Sequence, residues 1–493
     1  MGKNPAVKEI LQRYRGVWAL SHSMAVMSWD RETQMPEGGS RARGIAMGQL
    51  AMMRQKASLE LDGLVRKAEK AKDLDDVENG VVRVMRRELD YYLKVPPELI
   101  DAISRASTEA TVVWRTARKK SQFRLFQPHL DKLLGLKRQV AEKMGYEKHP
   151  YNALLDQFEE GFTVRDADAV YSRLIPASKK ILAKVEAAGV YPSRHPLETV
   201  KYKVEAMARV NDGIVEMLKM PKDGFRMAVS THPFTTGIAP NDTRITTRYE
   251  GVNFKASMYS TVHESGHALY HIGHDEKLAY TPVYGGASLG IHESQSRFWE
   301  NIMGRSKEFV RLVDPLLRKN LAFLSKYGDE QLFYYFNTVR RSYIRVDADE
   351  LTYNFHTAVR YEIEKKAIGG DVKASEFPEL WGDTFEEYLG LRPRNDAEGV
   401  LQDIHWSGGS FGYFATYTLG NVVTGMIWHK LGDGKAIRED VRKGDLASLR
   451  EWLRSSIHRY GSVYSPKELQ MRTFGEAYNP ERLIKYLDAK FAA

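Results

Sequence analysis

The stretch TVHESGHALYHIGHD, residues 261–275, carries two histidines four positions apart, His263 and His267, with Glu264 directly after the first. On a helix, positions i and i+4 lie on one face, so the two imidazoles can be directed at a single point. The neighbouring carboxylate projects beside them. That is the physical content of an H-E-x-x-H pattern: two nitrogen ligands for a metal, and an acid–base group within reach. Met258, Val262 and Leu269 supply the apolar side of this helix, and Gly273 is its expected stop. A catalytic zinc needs a third protein ligand and one open position. Glu293, in GIHESQSRFWEN (290–301), follows His267 after 25 intervening residues, on a stretch whose apolar members Ile291, Phe298 and Trp299 read as helix. His292 is an alternative ligand, since imidazole also suits zinc.

Working outward, NDTRITTRYEGVNF (241–254) departs from helix. Its Thr, Ile and Tyr, with a turn at Glu250-Gly251, predict a strand in a small antiparallel sheet beside the histidine helix. Asp242, Arg244, Thr246 and Arg248 would share one face of it. Downstream, residues 406–428 carry no charge. That is long enough for a membrane span, but too polar and too interrupted by glycine, and it predicts a buried helix lining a cavity. The N-terminal half reads as long helices. Leu50, Met53, Ala57, Leu61 and Leu64 predict one over 45–65, and Val81, Met85, Leu89 and Leu93 the next. Pro96-Pro97 stops the latter, and PPELIDAISRAS starts another. Gly/Pro clusters near 190–197, 220–224 and 390–399 read as loops inside one body, so residues 1–493 are taken as a single, mainly α unit.

The bulk numbers narrow the function classes. Of 493 residues, 43% are hydrophobic and 11% aromatic, ample for a large core. There is no cysteine, which excludes a disulfide scaffold, a zinc ribbon and a thiol nucleophile, and points to a reducing compartment. The opening MGKNPAVKEILQRYRG has no apolar run of a secretory signal, so a cytoplasmic location is expected. Formal charge is +9, but 73 basic and 64 acidic residues are interspersed without a basic block. No nucleic-acid and no membrane partner is expected; an anionic group such as a peptide's terminal carboxylate fits the balance.

Several short stretches, in order, carry a resemblance. DTRIT (242–246), HESGH (263–267), HESQ (292–295), IRVDAD (344–349) and GVLQDIHW (399–406), with HPF (232–234) and SWDRETQMPEGGSRARG (28–44), resemble the carboxypeptidase Taq family of thermostable zinc metallocarboxypeptidases. The resemblance runs from near residue 15 to the C-terminus. It implies a helical shell with a deep active-site groove, a homodimer, and one Zn²⁺ per chain, with Co²⁺ or another divalent ion as substitute. It implies that His263, His267 and Glu293 hold the metal and that Glu264 is the general base. Arg345 would take the substrate's terminal carboxylate, with Arg244 shaping that subsite. His405 and Tyr417 would steady the oxyanion, Tyr413 lying one helical turn from Tyr417. The helical N-terminal part, 1–95, would partly cover the groove. One departure stands out: four positions after Glu293 is Arg297, where related enzymes carry an aspartate behind a histidine ligand. The partner that orients His263 or His267 is therefore open.

Blander readings compete for some of these residues. Arg345 and Asp349, four apart, can pair on a helix. Asp242 and Arg244 can form a surface pair, His405 can be a core histidine, and His232 a capping or packed one. The expected function is a broad-specificity, metal-dependent carboxypeptidase acting on peptides with a free C-terminus. A metallo-oligopeptidase cutting internally is the alternative, and a non-catalytic helical binding protein the second.

Overall fold

Helices make up nearly all the regular structure of this computed structural model, which describes residues 2–491. Helix α1 (Pro5–Thr33) starts where its caps dictate: the Asn4 side chain accepts from Ala6 N–H, and Pro5 occupies a position needing no donor. Helices α2 (Ser40–Leu59), α3 (Asp62–Ala68), α4 (Asp76–Lys94), α5 (Pro97–Lys120) and α6 (Phe123–Met144) follow. An Asp75–Glu78 capping box opens α4, and Pro97 opens α5.

The helix expected over 45–65 is two helices. The chain breaks at Glu60-Leu61, between α2 and α3. Leu61 is buried, but Met53 is 55% exposed, so α2 does not bury the anticipated stripe. A stripe drawn at helical spacing cannot register a turn inside it. On α4 the pattern holds at Val81, Met85 and Leu89, all buried, and fails at Leu93 on the exposed last turn.

The sheet has three strands, β1 (Phe225–Val229), β2 (Thr235–Ala239) and β3 (Asp242–Thr247), in the order β1-β3-β2. It is mixed rather than antiparallel. β2 and β3 pair antiparallel, but β3 inserts between its two predecessors and runs parallel to β1. Two residues connect β2 to β3, which forces the reversal there. The chain from β1 crosses over the future place of β3, which lets those two strands run together.

Behind β2 and β3 lies the histidine helix (Phe254–Ile272), which Gly273 closes. Its Met258, Val262 and Leu269 are buried. The glutamate helix (Leu289–Arg297) packs against it and runs on into a π-helical turn, Phe298–Met303. On the far side lies the buried helix (Phe414–Lys430), formed by the charge-free segment. Two glycines allow this three-helix stack. A Cβ on Gly266 would lie 2.7 Å from Gln295 O, and one on Gly420 would lie 2.7 Å from Glu293 Cγ. No helix among the described residues is long and apolar enough to cross a membrane. The buried apolar residues form one cluster that includes Ala6 at one end of the chain and Phe491 at the other.

Candidate active site

His263 and His267 project from one face of their helix toward Glu293, with ring centroids 5.0 Å apart. His263 Nε2 lies 3.8 Å from Glu293 Oε2, and His267 Nε2 lies 3.4 Å from the same oxygen. Ligands at about 2.0–2.1 Å on tetrahedral directions stand about 3.3 Å apart, so these three atoms fit one divalent ion. Among the described residues, this is the one group of three such side chains with donor atoms within 4.8 Å of one another. His292 is not part of it. Its Nδ1 lies 2.6 Å from His267 Nδ1, behind the ligand rather than beside it.

Both histidines are held from behind. His263 Nδ1 meets Glu300 Oε2 at 2.9 Å, and His267 Nδ1 meets His292. Each ring thereby turns its Nε2 to the centre, the arrangement that fixes tautomer and orientation in metal sites. Glu300 is the carboxylate that the Arg297 position left in question. It stands seven residues after Glu293, and the π turn carries it behind His263. Arg297 bridges the pair, with Nε 2.8 Å from Glu293 Oε1 and Nη1 3.4 Å from Glu300 Oε2. Burial opposes charge on Glu293, yet His263 and Arg297 hold it well below the usual carboxylate range. Glu264 is 6% exposed, and its Oε2 accepts from Thr235 Oγ1 at 2.5 Å.

A cavity of about 450 Å³ opens from this centre, lined by His263, Glu264, Glu300, Tyr353 and Arg345 among others. Arg345 is 6% exposed. Its Nε and Nη2 reach Asp403 Oδ1 at 3.1 and 2.8 Å, and Nη1 donates to Tyr353 OH at 2.8 Å. It does not pair with Asp349, whose carboxylate caps the turn at Leu351 and Thr352. Asp403 also binds Arg360, Nη2 to Oδ2 at 2.6 Å. Two guanidiniums thus share one carboxylate, and the triad keeps one unit of positive charge. Gln402 accepts from Arg345 N–H at 2.8 Å, which locks IRVDAD onto GVLQDIHW.

His405 Nε2 lies 3.4 Å from Tyr417 OH, and its ring lies 5.2 Å from that of Tyr413. Burial, against the pull of Asp403, pushes its pKa down to about 4, so the ring is neutral at neutral pH. Tyr413 and Tyr417 pack on each other at 5.3 Å, and Arg345 sits 5.0 Å over the Tyr417 ring.

Against this geometry stand the relatives. Residues 9–491 match the family described as carboxypeptidase Taq (M32) metallopeptidase. The chain belongs to the carboxypeptidase Taq family. The thermostable carboxypeptidase 1 of Pyrococcus furiosus is 44% identical over 99% of each chain, and the carboxypeptidase 1 of Bacillus subtilis is 33% identical over 98% of each. A solved carboxypeptidase of Pyrococcus furiosus superposes with a TM-score of 0.98 at 44% identity, and one from Deinococcus radiodurans with 0.95 at 30%, each over 99% of both chains. The protein is a metal-dependent carboxypeptidase, neither an internal oligopeptidase nor a non-catalytic binding protein.

The remaining predicted residues of this carboxypeptidase Taq family member fall as follows. Arg244 pairs with Asp242 at 2.7 and 2.8 Å, and its guanidinium lies 5.6 Å over Trp29. It is not among the residues lining the cavity with Arg345. His232 is exposed rather than packed, and Pro233 borders the cavity. Trp29 packs edge-on to Phe234 at 5.6 Å, which brings α1 onto the strand region beside the metal ligands. Three side chains carry no sequence signal of their own, Thr235, Tyr353 and Glu364; Asp403 lies within GVLQDIHW, but sequence reasoning gave it no role. Glu364 is fully buried and accepts from Tyr151 OH, Trp406 Nε1 and Gly412 N at 2.5–2.7 Å, pinning the loop that bears His405.

Proposed function

We propose that the metal is Zn²⁺, one per chain, with Co²⁺ or another divalent ion as substitute, held by His263, His267 and Glu293. When bound, such an ion supplies Lewis-acid activation of water and polarises the scissile carbonyl. Glu264 takes the proton from the attacking water and hands it to the departing amine. His405, neutral and donating, and Tyr417 steady the charge that develops on the carbonyl oxygen. Arg345 receives the substrate's terminal carboxylate on the donors that Asp403 leaves free, and the triad's residual positive charge favours that anion. Arg244 acts at one remove, by holding Trp29 of α1 against the sheet.

The observation that carries this reading is the cavity that joins His263 and Glu264 to a buried, net-positive arginine. Substrates are peptides with a free C-terminus. Residues 1–493 act as one peptidase unit, with 1–95 partly covering the groove. We also propose a homodimer in the cytoplasm, on family likeness and on the absence of cysteine.

The test pairs two N-blocked peptides of one sequence, one ending in the free acid and one in the amide. A charge-assisted bond of about 1.5–3 kcal/mol predicts at least a tenfold loss in kcat/KM for the amide. Equal cleavage of both would remove the carboxylate role from Arg345.

A further inference from the structure

We propose that Thr235 is a positioning residue for Glu264: its hydroxyl on the edge strand β2 fixes one carboxylate oxygen of the base and leaves the other for the reacting water. This rests on the reading of Glu264 as general base.

The strand and the helix are in direct contact here. A Cβ on Gly237, two residues along β2, would lie 2.0 Å from the His271 ring. At that approach Thr235 Oγ1 stands 2.5 Å from Glu264 Oε2 and 3.0 Å from Glu264 O. A hydroxyl has one proton, and the shorter, charge-assisted bond to the carboxylate claims it. Among the described residues no cation lies within ion-pair distance of Glu264, and no other hydrogen bond to its carboxylate is present. A glutamate has three rotatable bonds. With the side chain 6% exposed, one donor decides where the free lone pairs point.

Thr235 is itself held. It lies opposite Ile245 in β3, and Phe234 N–H donates to Thr246 Oγ1 at 2.9 Å. A base aimed by a rigid strand needs no rearrangement when substrate arrives, and misplacement by about 1 Å can cost 10² in rate. Thr235 keeps its own proton throughout. The proton in transit passes from water to Glu264 and then to the amine.

The experiment compares Thr235→Val, which keeps the shape, with Thr235→Ser, which keeps the hydroxyl, each alone and combined with Glu264→Gln. Readouts are kcat, KM, metal content and melting temperature. Thr235→Val should lower kcat about 10- to 100-fold with KM within about twofold and metal unchanged. Thr235→Ser should recover all but about threefold. With Glu264→Gln present, Thr235→Val should cost nothing more, because the two act as one unit. Should Thr235→Val not fold, Thr235→Ala removes the hydroxyl without adding bulk and is read the same way. Wild-type kcat in Thr235→Val, an equal loss in the Glu264→Gln background, or a loss that tracks metal content overturns the inference alone. Full activity in Glu264→Gln itself brings down the assignment of the base, and this inference with it.

Discussion

Glu264 shows what a single side chain can be asked to do. General-base work is worth about 10²–10⁴ in rate, so Glu264→Gln should lose that much in kcat while elemental analysis still finds one divalent ion per chain. Loss of metal in that variant would make Glu264 a structural member of the site instead. At this scale the sequence is informative where chemistry follows local spacing. His263, His267 and Glu264 follow from the period of one helix, and Glu293 from the start of the next. Glu300, two turns beyond Glu293, is legible in principle, but the π turn that aims it is not. Thr235 and Asp403 reach their partners across 29 and 58 positions, and nothing local tells which partner each will meet. Tyr413 and Tyr417 share a helical face, so spacing cannot choose between them.

The elements meet at glycines, and that makes their packing testable. Gly420→Ala would press a methyl group into Glu293. Overpacking of this kind costs about 1–3 kcal/mol. It should lower the melting temperature and weaken metal binding by about 10- to 100-fold, the usual scale for disturbing the support of a ligand. Gly48, on α2, has open space at its Cβ position. Gly48→Ala should leave metal affinity alone and stabilise by about 0.4–1 kcal/mol. Competitive chelation and thermal melts check both, and equal behaviour of the two variants would refute the notch at Gly420. The histidine helix and the buried helix are legible because the apolar content read from sequence matches the burial found along each. The sheet is legible only in part. Thr- and Ile-rich patterning marks β3, but the pairing direction depends on a crossing made by the chain before it. On α2 and α3 the stripe misleads, because residues at good helical spacing are divided by a turn.

Across the whole molecule, buried histidines govern the response to acid. Burial pushes His271 and His405 down to about 4 and His458 to about 3, and takes His274 and His356 well below their ordinary value. Below pH 6.5 the unfolded chain binds protons at these five sites and the folded protein does not. Stability therefore falls as pH falls from 6.5 toward 4. Buried carboxyls oppose this. Glu159 and Glu364 are pushed up to about 7, so between 4.5 and 7 the folded form holds protons that the unfolded chain releases. The histidines titrate across the whole of this window, so the net slope keeps their sign. Urea midpoints should drop steeply between pH 6.5 and 5, and a flat profile would show that these imidazoles reach solvent. One further consequence lies in the carboxylate shared by two arginines. If Arg345 is replaced, Asp403 still has Arg360; if Asp403 is replaced, two desolvated cations confront each other. On the role proposed for Arg345, the group that demands a free chain end can be discarded by a single mutation without stranding a charge, because Arg360 remains on the shared carboxylate. Folding alone therefore does not defend that demand.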